Sequence, residues 1–230
     1  MASSVTKRIA RGLVPVAARM APQAAGGVLR RVLEMAIDGV AGLPGAKAVA
    51  AKQLERSGGA VDEAIEGIVD QHVRLASAQG FVTNLGGAAV LPIALSANLT
   101  GVAVVQVRMV AAIAHLRGYN LDDNRVRTAL VMCLLGGEQV AQRIANGTLP
   151  TSPMAVATAP VFDRDLDTTV AQEVVADLLA RIGGKSVALA ISRRVPLVGG
   201  GVGAVMDGLA TRNIGTYAKG ELPRRRILQS

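Results

Sequence analysis

The sequence predicts an all-α protein, a compact multi-helix bundle of about seven helices with a Gly/Ala-rich core, and three observations lead there. Half of the 230 residues are hydrophobic, yet there is no tryptophan and only two phenylalanines and two tyrosines. Burial must come from Ala, Val, Leu and Ile, with 26 glycines permitting close backbone approach, the way helices pack through small side chains. Apolar residues recur at three- and four-residue intervals, and no useful stretch alternates with the period of two that a half-buried strand needs. The length suits one domain with a substantial core.

Residues 1–33 read as a basic arm, amphipathic or partly disordered. Val5, Ile9, Leu13, Val16, Ala17 and Met20 recur at helical spacing with Arg8, Arg11 and Arg19 between them. A helical domain is expected over 34–222 and a basic tail over 223–230. Val28 to Val40 has a helical pattern that stops at Gly42-Leu43-Pro44-Gly45, and Pro44 suits the opening turn of a short helix from Ala46 to Arg56, ended by Gly58-Gly59. Val61 to Gln79 is the clearest amphipathic helix. Val61, Ala64, Ile65, Ile68, His72 and Leu75 share a face, and Asp62, Glu63, Glu66 and Asp70 load its first half with acid, complementing the positive end of the helix dipole.

Residues 75–107 contain no charged side chain. Gly80 to Gly87 breaks this run near its start, Leu91-Pro92 restarts it, and from Pro92 the pattern is helical to Arg117, with Gly118 as the stop. Gly86 to Val107 is long enough to span a bilayer, but Pro92, Ser96, Asn98, Thr100 and Gln106 interrupt it and no tryptophan belt flanks it. The reading favoured is a buried core hairpin. Asn120 then caps a helix with Asp122 and Asp123 in its first turn, running to about Ala145. Residues 146–168, with Pro150, Pro153 and Pro160, read as a surface loop inserted in the domain. Thr169 and Gln172 have capping-box spacing for a helix through Lys185, and a last helix covers roughly Leu197 to Tyr217. Its Gly199/Gly203 pair has the G-x-x-x-G spacing of close helix contact.

The net charge of +8 is unevenly placed. Lys7, Arg8, Arg11, Arg19, Arg30 and Arg31 all precede the first acidic residue, Glu34, and Arg224-Arg225-Arg226 closes the chain. Two basic ends favour an anionic partner, and these nine residues are the candidate lipid contacts. Nucleic acid is disfavoured, because aromatic stacking platforms are nearly absent and no zinc-finger or helix-turn-helix signature appears.

No constellation demands an enzyme. His72 and His115 lie far apart, no further ligands stand at metal-binding spacing, and no G-x-S-x-G elbow is present. Arg108 and His115, seven residues apart, share a helix face; with Asn98 and Gln106 they form a candidate buried polar cluster. The Asp163/Asp165/Asp167 group is explained by capping and solvation. Gly183-Gly184-Lys185-Ser186 resembles the end of a phosphate loop but has Ala180 where the first glycine should stand. Cys133, alone in Leu130 to Leu135, reads as a small buried hydrophobe. No disulfide, metal or cofactor is expected. Pro15 and Pro22 break any apolar stretch after the first basic residues, so no signal peptide is expected either.

Several blocks together resemble the EcsC family of bacterial proteins. They are Ala36-Ile37-Asp38-Gly39-Val40 with Gly42-Leu43-Pro44, then Gly80 to Gly87, then Leu91-Pro92 through Ala97-Asn98-Leu99. Val110 to Asp123 follows, and the series ends with Val195-Pro196-Leu197-Val198-Gly199-Gly200, Thr211-Arg212 and Tyr217-Ala218. They cover most of 36–219. Asn98 stands where the family commonly has an acidic residue. The resemblance implies a membrane-linked accessory role and no catalytic residues. The expectation is a cytoplasmic protein peripheral at the inner face of a membrane, with lipid, a membrane protein or a second copy as partner. The alternatives are an enzyme built on the Arg108/His115 cluster and a self-associating protein that inserts.

Overall fold

A computed structural model describes residues 22–40, 42–85, 91–192 and 196–225, with side chains described outside 22–25, 79–100 and 182–203. The fold is all-α, as the sequence predicts. Nine helices are present among the described residues: α1 Pro22–Asp38, α2 Ala46–Arg56, α3 Val61–Leu85, α4 Leu91–Leu116, α5 Asn124–Cys133, α6 Gly137–Ala145, α7 Pro153–Ala157, α8 Arg164–Ser192 and α9 Pro196–Glu221. The two beyond the expected seven are α6, split from α5 by Gly136 at φ +78°, and α7, one turn within the expected loop.

The centre is α4. From Ala103 to Ala114 every residue is buried, a helix apolar around its whole circumference apart from Gln106 and Arg108. Helices α1, α2, α3, α5, α8 and α9 all pack on it. The α3–α9 contact is the most extensive in the bundle. Lys219 meets Glu66, Arg212 meets Asp70 and Gly208 abuts Ser77, so α3 and α9 run antiparallel. Gly215 lets α9 close on α3 and α4 together: a Cβ there would stand 3.0 Å from Val69 Cγ2 and 3.2 Å from Met109 Sδ.

Several boundaries differ from expectation, each for a local reason. Helix α3 does not break at Gly80 but continues to Leu85, because one glycine costs a helix only about 1 kcal/mol and long packed helices absorb that. Helix α1 begins at Pro22 and buries Leu29 and Val32, so the expected boundary at residue 33 falls within a packed helix. Pro44 lies in a two-residue antiparallel pairing, Gly39–Val40 with Leu43–Pro44, rather than in a helix. That tight return needs Gly39 at φ +87°, with Leu43 O and Gly45 N filling the space of a side chain. Asn120 turns the chain by accepting the Asp122 N–H, while Asp123 is the true N-cap of α5, accepting from Arg125 N at 2.9 Å. Asp163, not Thr169, caps α8, accepting the N–H groups of Asp165 and Leu166. The expected 146–168 loop is itself partly packed, with Leu149, Pro153, Val156 and Ala157 buried.

Replacing Gly215 by Leu is expected to cost about 1–3 kcal/mol by overpacking, whereas Gly220→Ala, which meets open space, should cost nothing measurable. Urea unfolding of the two variants checks both.

Candidate functional site

Of the expected polar cluster, the structure buries Gln106 and Arg108. Two residues apart on α4, they do not face each other, and each has its own partner, Thr211 for Gln106 and His72 for Arg108. Arg108 is 1% exposed in the middle of α4. Its Nε–H donates to His72 Nε2 at 3.2 Å, and Nη1 donates to the Pro44 carbonyl at 3.3 Å. The short strand pair is what carries that carbonyl to the guanidinium. On α3, His72 Nδ1 lies 2.7 Å from Ile68 O, an acceptor, so the proton sits on Nδ1 and Nε2 is the lone-pair face turned to Arg108. The contacts therefore define one neutral tautomer. Gln106 Nε2 donates to Thr211 Oγ1 at 3.2 Å, and its Oε1 has no partner among the described residues.

Burial dominates the electrostatics. Desolvation, opposed by the Ile68 carbonyl and reinforced by the Arg108 charge, lowers His72 to about 4. Burial also lowers Arg108 from its ordinary value, without taking a guanidinium into the neutral range. His115 does not join them. It is exposed two turns further along α4, where partial burial and the charge of Lys47 hold it below its ordinary range. Asn98 falls in α4, outside the described side chains.

His72 is the member that sequence reasoning passed over. The available signal was an ionisable ring on the apolar face shared by Ile65 and Ile68. Thr211 offered none, since its partner lies 105 residues away. Cys133 is free and fully buried, and desolvation pushes its thiol well above the ordinary range, which makes it inert. No group of metal-ligating side chains occurs among the described residues.

Most other cations of the bundle are committed. Arg117 Nη1 donates to Lys219 O at 2.9 Å and Leu222 O at 3.0 Å, closing the C-terminus of α9. Arg181 reaches Leu134 O and Leu135 O beyond α5 and pairs with Asp177. Arg143 pairs with Glu173, Arg125 with Asp123, Lys219 with Glu66 and Arg212 with Asp70. Among the nine candidate lipid contacts, Arg30, Arg31 and Arg224 are exposed and form no ion pair among the described residues. Arg225 is held differently from a free tail: its guanidinium lies 5.5 Å from the Tyr119 ring centroid and its N–H donates to Arg117 O. Lys7, Arg8, Arg11, Arg19 and Arg226 lie outside the described residues.

A surface cleft of about 530 Å³ opens where α5, α7 and the start of α8 meet, lined by Arg125, Thr128, Val161, Phe162, Asp163 and Arg164 among others. Of its two lining carboxylates, Asp163 is engaged in the α8 cap, and Thr128, which also lines it, donates its hydroxyl to Asp167 at 2.6 Å. No helix among the described residues is long and apolar enough to cross a membrane. Comparison with known protein families, curated proteins and solved structures finds no match to this chain.

The His72 shift has a definite sign. The imidazole is neutral in the fold and titrates near 6.5 when unfolded, so the unfolded chain takes up a proton first as pH falls. Its contribution is intact above about pH 6.5 and is lost as pH falls toward 4. Between pH 7 and pH 5 this should remove about 2 kcal/mol of stability. A His72→Gln variant should lack that part of the loss, which urea titrations at both pH values will show.

Proposed function

We propose that this chain is a non-catalytic helical accessory protein that docks on an anionic membrane surface, at the cytoplasmic face, chiefly through its N-terminal basic segment. The observation that supports it is the contrast in how cations are used. Those of the bundle body are largely engaged by carboxylates or backbone carbonyls, while Arg30 and Arg31 stand exposed on α1 in a segment with no preceding acid. Each such cation near an anionic leaflet is worth about 1 kcal/mol. The C-terminal cluster contributes less, since Arg225 is already stacked on Tyr119. The resemblance of residues 36–219 to the EcsC family points the same way, toward an accessory partner of a membrane system.

Flotation with vesicles of phosphatidylglycerol and phosphatidylcholine tests it. The full chain should rise with anionic vesicles at low salt, stay behind with pure phosphatidylcholine, and detach as salt shortens the electrostatic range. Reversing both Arg30 and Arg31 to Glu should weaken binding ten-fold or more. Absence of binding at low salt would sink the proposal.

A further inference from the structure

Helix α9 turns two different faces to its surroundings. Asp207, Gly208, Thr211, Ile214, Gly215 and Ala218 are buried. Outward, Val205 is 59% and Leu209 58% exposed, with Met206 beside them at 43%. Val205, Leu209 and Arg212 stand four and three residues apart, so they form one line along the helix. Over the described side chains, from Ala204 on, the outer face is thus apolar as far as Leu209 and polar beyond, where Arg212, Asn213 and Thr216 continue it.

We infer that Val205, Met206 and Leu209 form a shallow insertion ridge that enters the acyl boundary of an anionic leaflet, with α9 lying in the plane of the interface. The inference rests on the membrane reading above and adds to it where the protein goes in. The charge beside the ridge selects the occupant. Arg74 is exposed on α3 without an ion pair among the described residues, next to Val73, against which Gly208 packs. The acids nearby do not oppose this: Asp207 is buried and Asp70 is matched by Arg212 at 3.0 Å. An apolar ridge with an unpaired cation beside it is complementary to lipid whose headgroups are anionic and whose chains are apolar, and helices placed this way sink only about 5–10 Å. That depth agrees with a bundle in which no described helix can cross.

The chain has no tryptophan, so one introduced residue is a unique probe. Val205→Trp and Leu209→Trp change exposed positions, and Val161→Trp, 74% exposed before α8, is the control. With phosphatidylglycerol-containing vesicles, emission at 205 and 209 should shift to the blue and be quenched by brominated acyl chains, while 161 should do neither. A Val205→Glu/Leu209→Glu chain should partition into those vesicles roughly ten-fold less or worse. Flotation with unshifted, unquenched probes at 205 and 209 overturns the ridge and leaves the electrostatic reading standing. Failure to float removes both. A blue shift that grows with protein concentration in the absence of vesicles assigns the ridge to a second copy of the chain and overturns the inference.

Discussion

A positive charge in the middle of the most apolar helix is the constraint around which this bundle is arranged. Placing Arg108 on α4 with every neighbour from Ala103 to Ala114 buried would be prohibitive without compensation, since a buried ion needs its donors satisfied. Compensation arrives from two elements distant in sequence, the His72 ring on α3 and the Pro44 carbonyl on the short strand pair. Both are acceptors without charge. Arg108 therefore ties the α1–α2 connection and α3 to the central helix through direction-dependent contacts, where Ala and Val could supply only contact area. The neutral state of His72 follows from the same arrangement, because a second proton would set N–H against N–H.

The same residue type braces the rest of the molecule. Arg117 closes α9, Arg181 closes α5, Arg127 Nε–H donates to Leu121 O and Arg125 to Ala159 O. A guanidinium offers five donors in a fixed fork, and here it repeatedly satisfies carbonyls that helix ends leave unpaired. Much of the chain's excess of cations is thereby structural. Among the described residues, the exposed cations outside this role, and not held by a carboxylate or a ring, are Lys52, Arg56, Arg74 and Arg164 on the bundle and Arg30, Arg31 and Arg224 toward its ends.

How far the sequence could be read depended on the range of the forces involved. The helical class, the α2 limits Ala46–Arg56 and the end of α4 before Gly118 were legible, because caps, glycine stops and apolar spacing act within a turn or two. The continuation of α3 through Gly80 was not, since a single glycine costs a helix only about 1 kcal/mol and does not by itself end one. Nor was the division at Gly136, which looks like one more small residue until its positive φ is seen. In the polar cluster, Gln106 and Arg108 stood out as polar residues in an apolar run. Pairing Arg108 with His115 was the natural inference from spacing, but spacing only places residues on one face. Position along the axis separates the two, one buried at the centre and one at the emerging end. His72 and Thr211 come from other helices, and nothing local to them announces the partner.

Cys133 gives this architecture a further consequence. The only thiol in the chain sits at the end of α5, fully buried, beside the carbonyls that Arg181 holds. Its charge neighbours are Tyr119 in the turn after α4 and Tyr217 and Glu221 at the C-terminal end of α9. It is therefore shielded as long as α9 stays seated on α5, and it meets solvent only when that junction parts. Its rate of alkylation therefore acts as an internal clock for opening of the bundle. A membrane encounter that merely seats the protein on a surface would leave the clock running at its solution rate, whereas one that spreads the helices would speed it up.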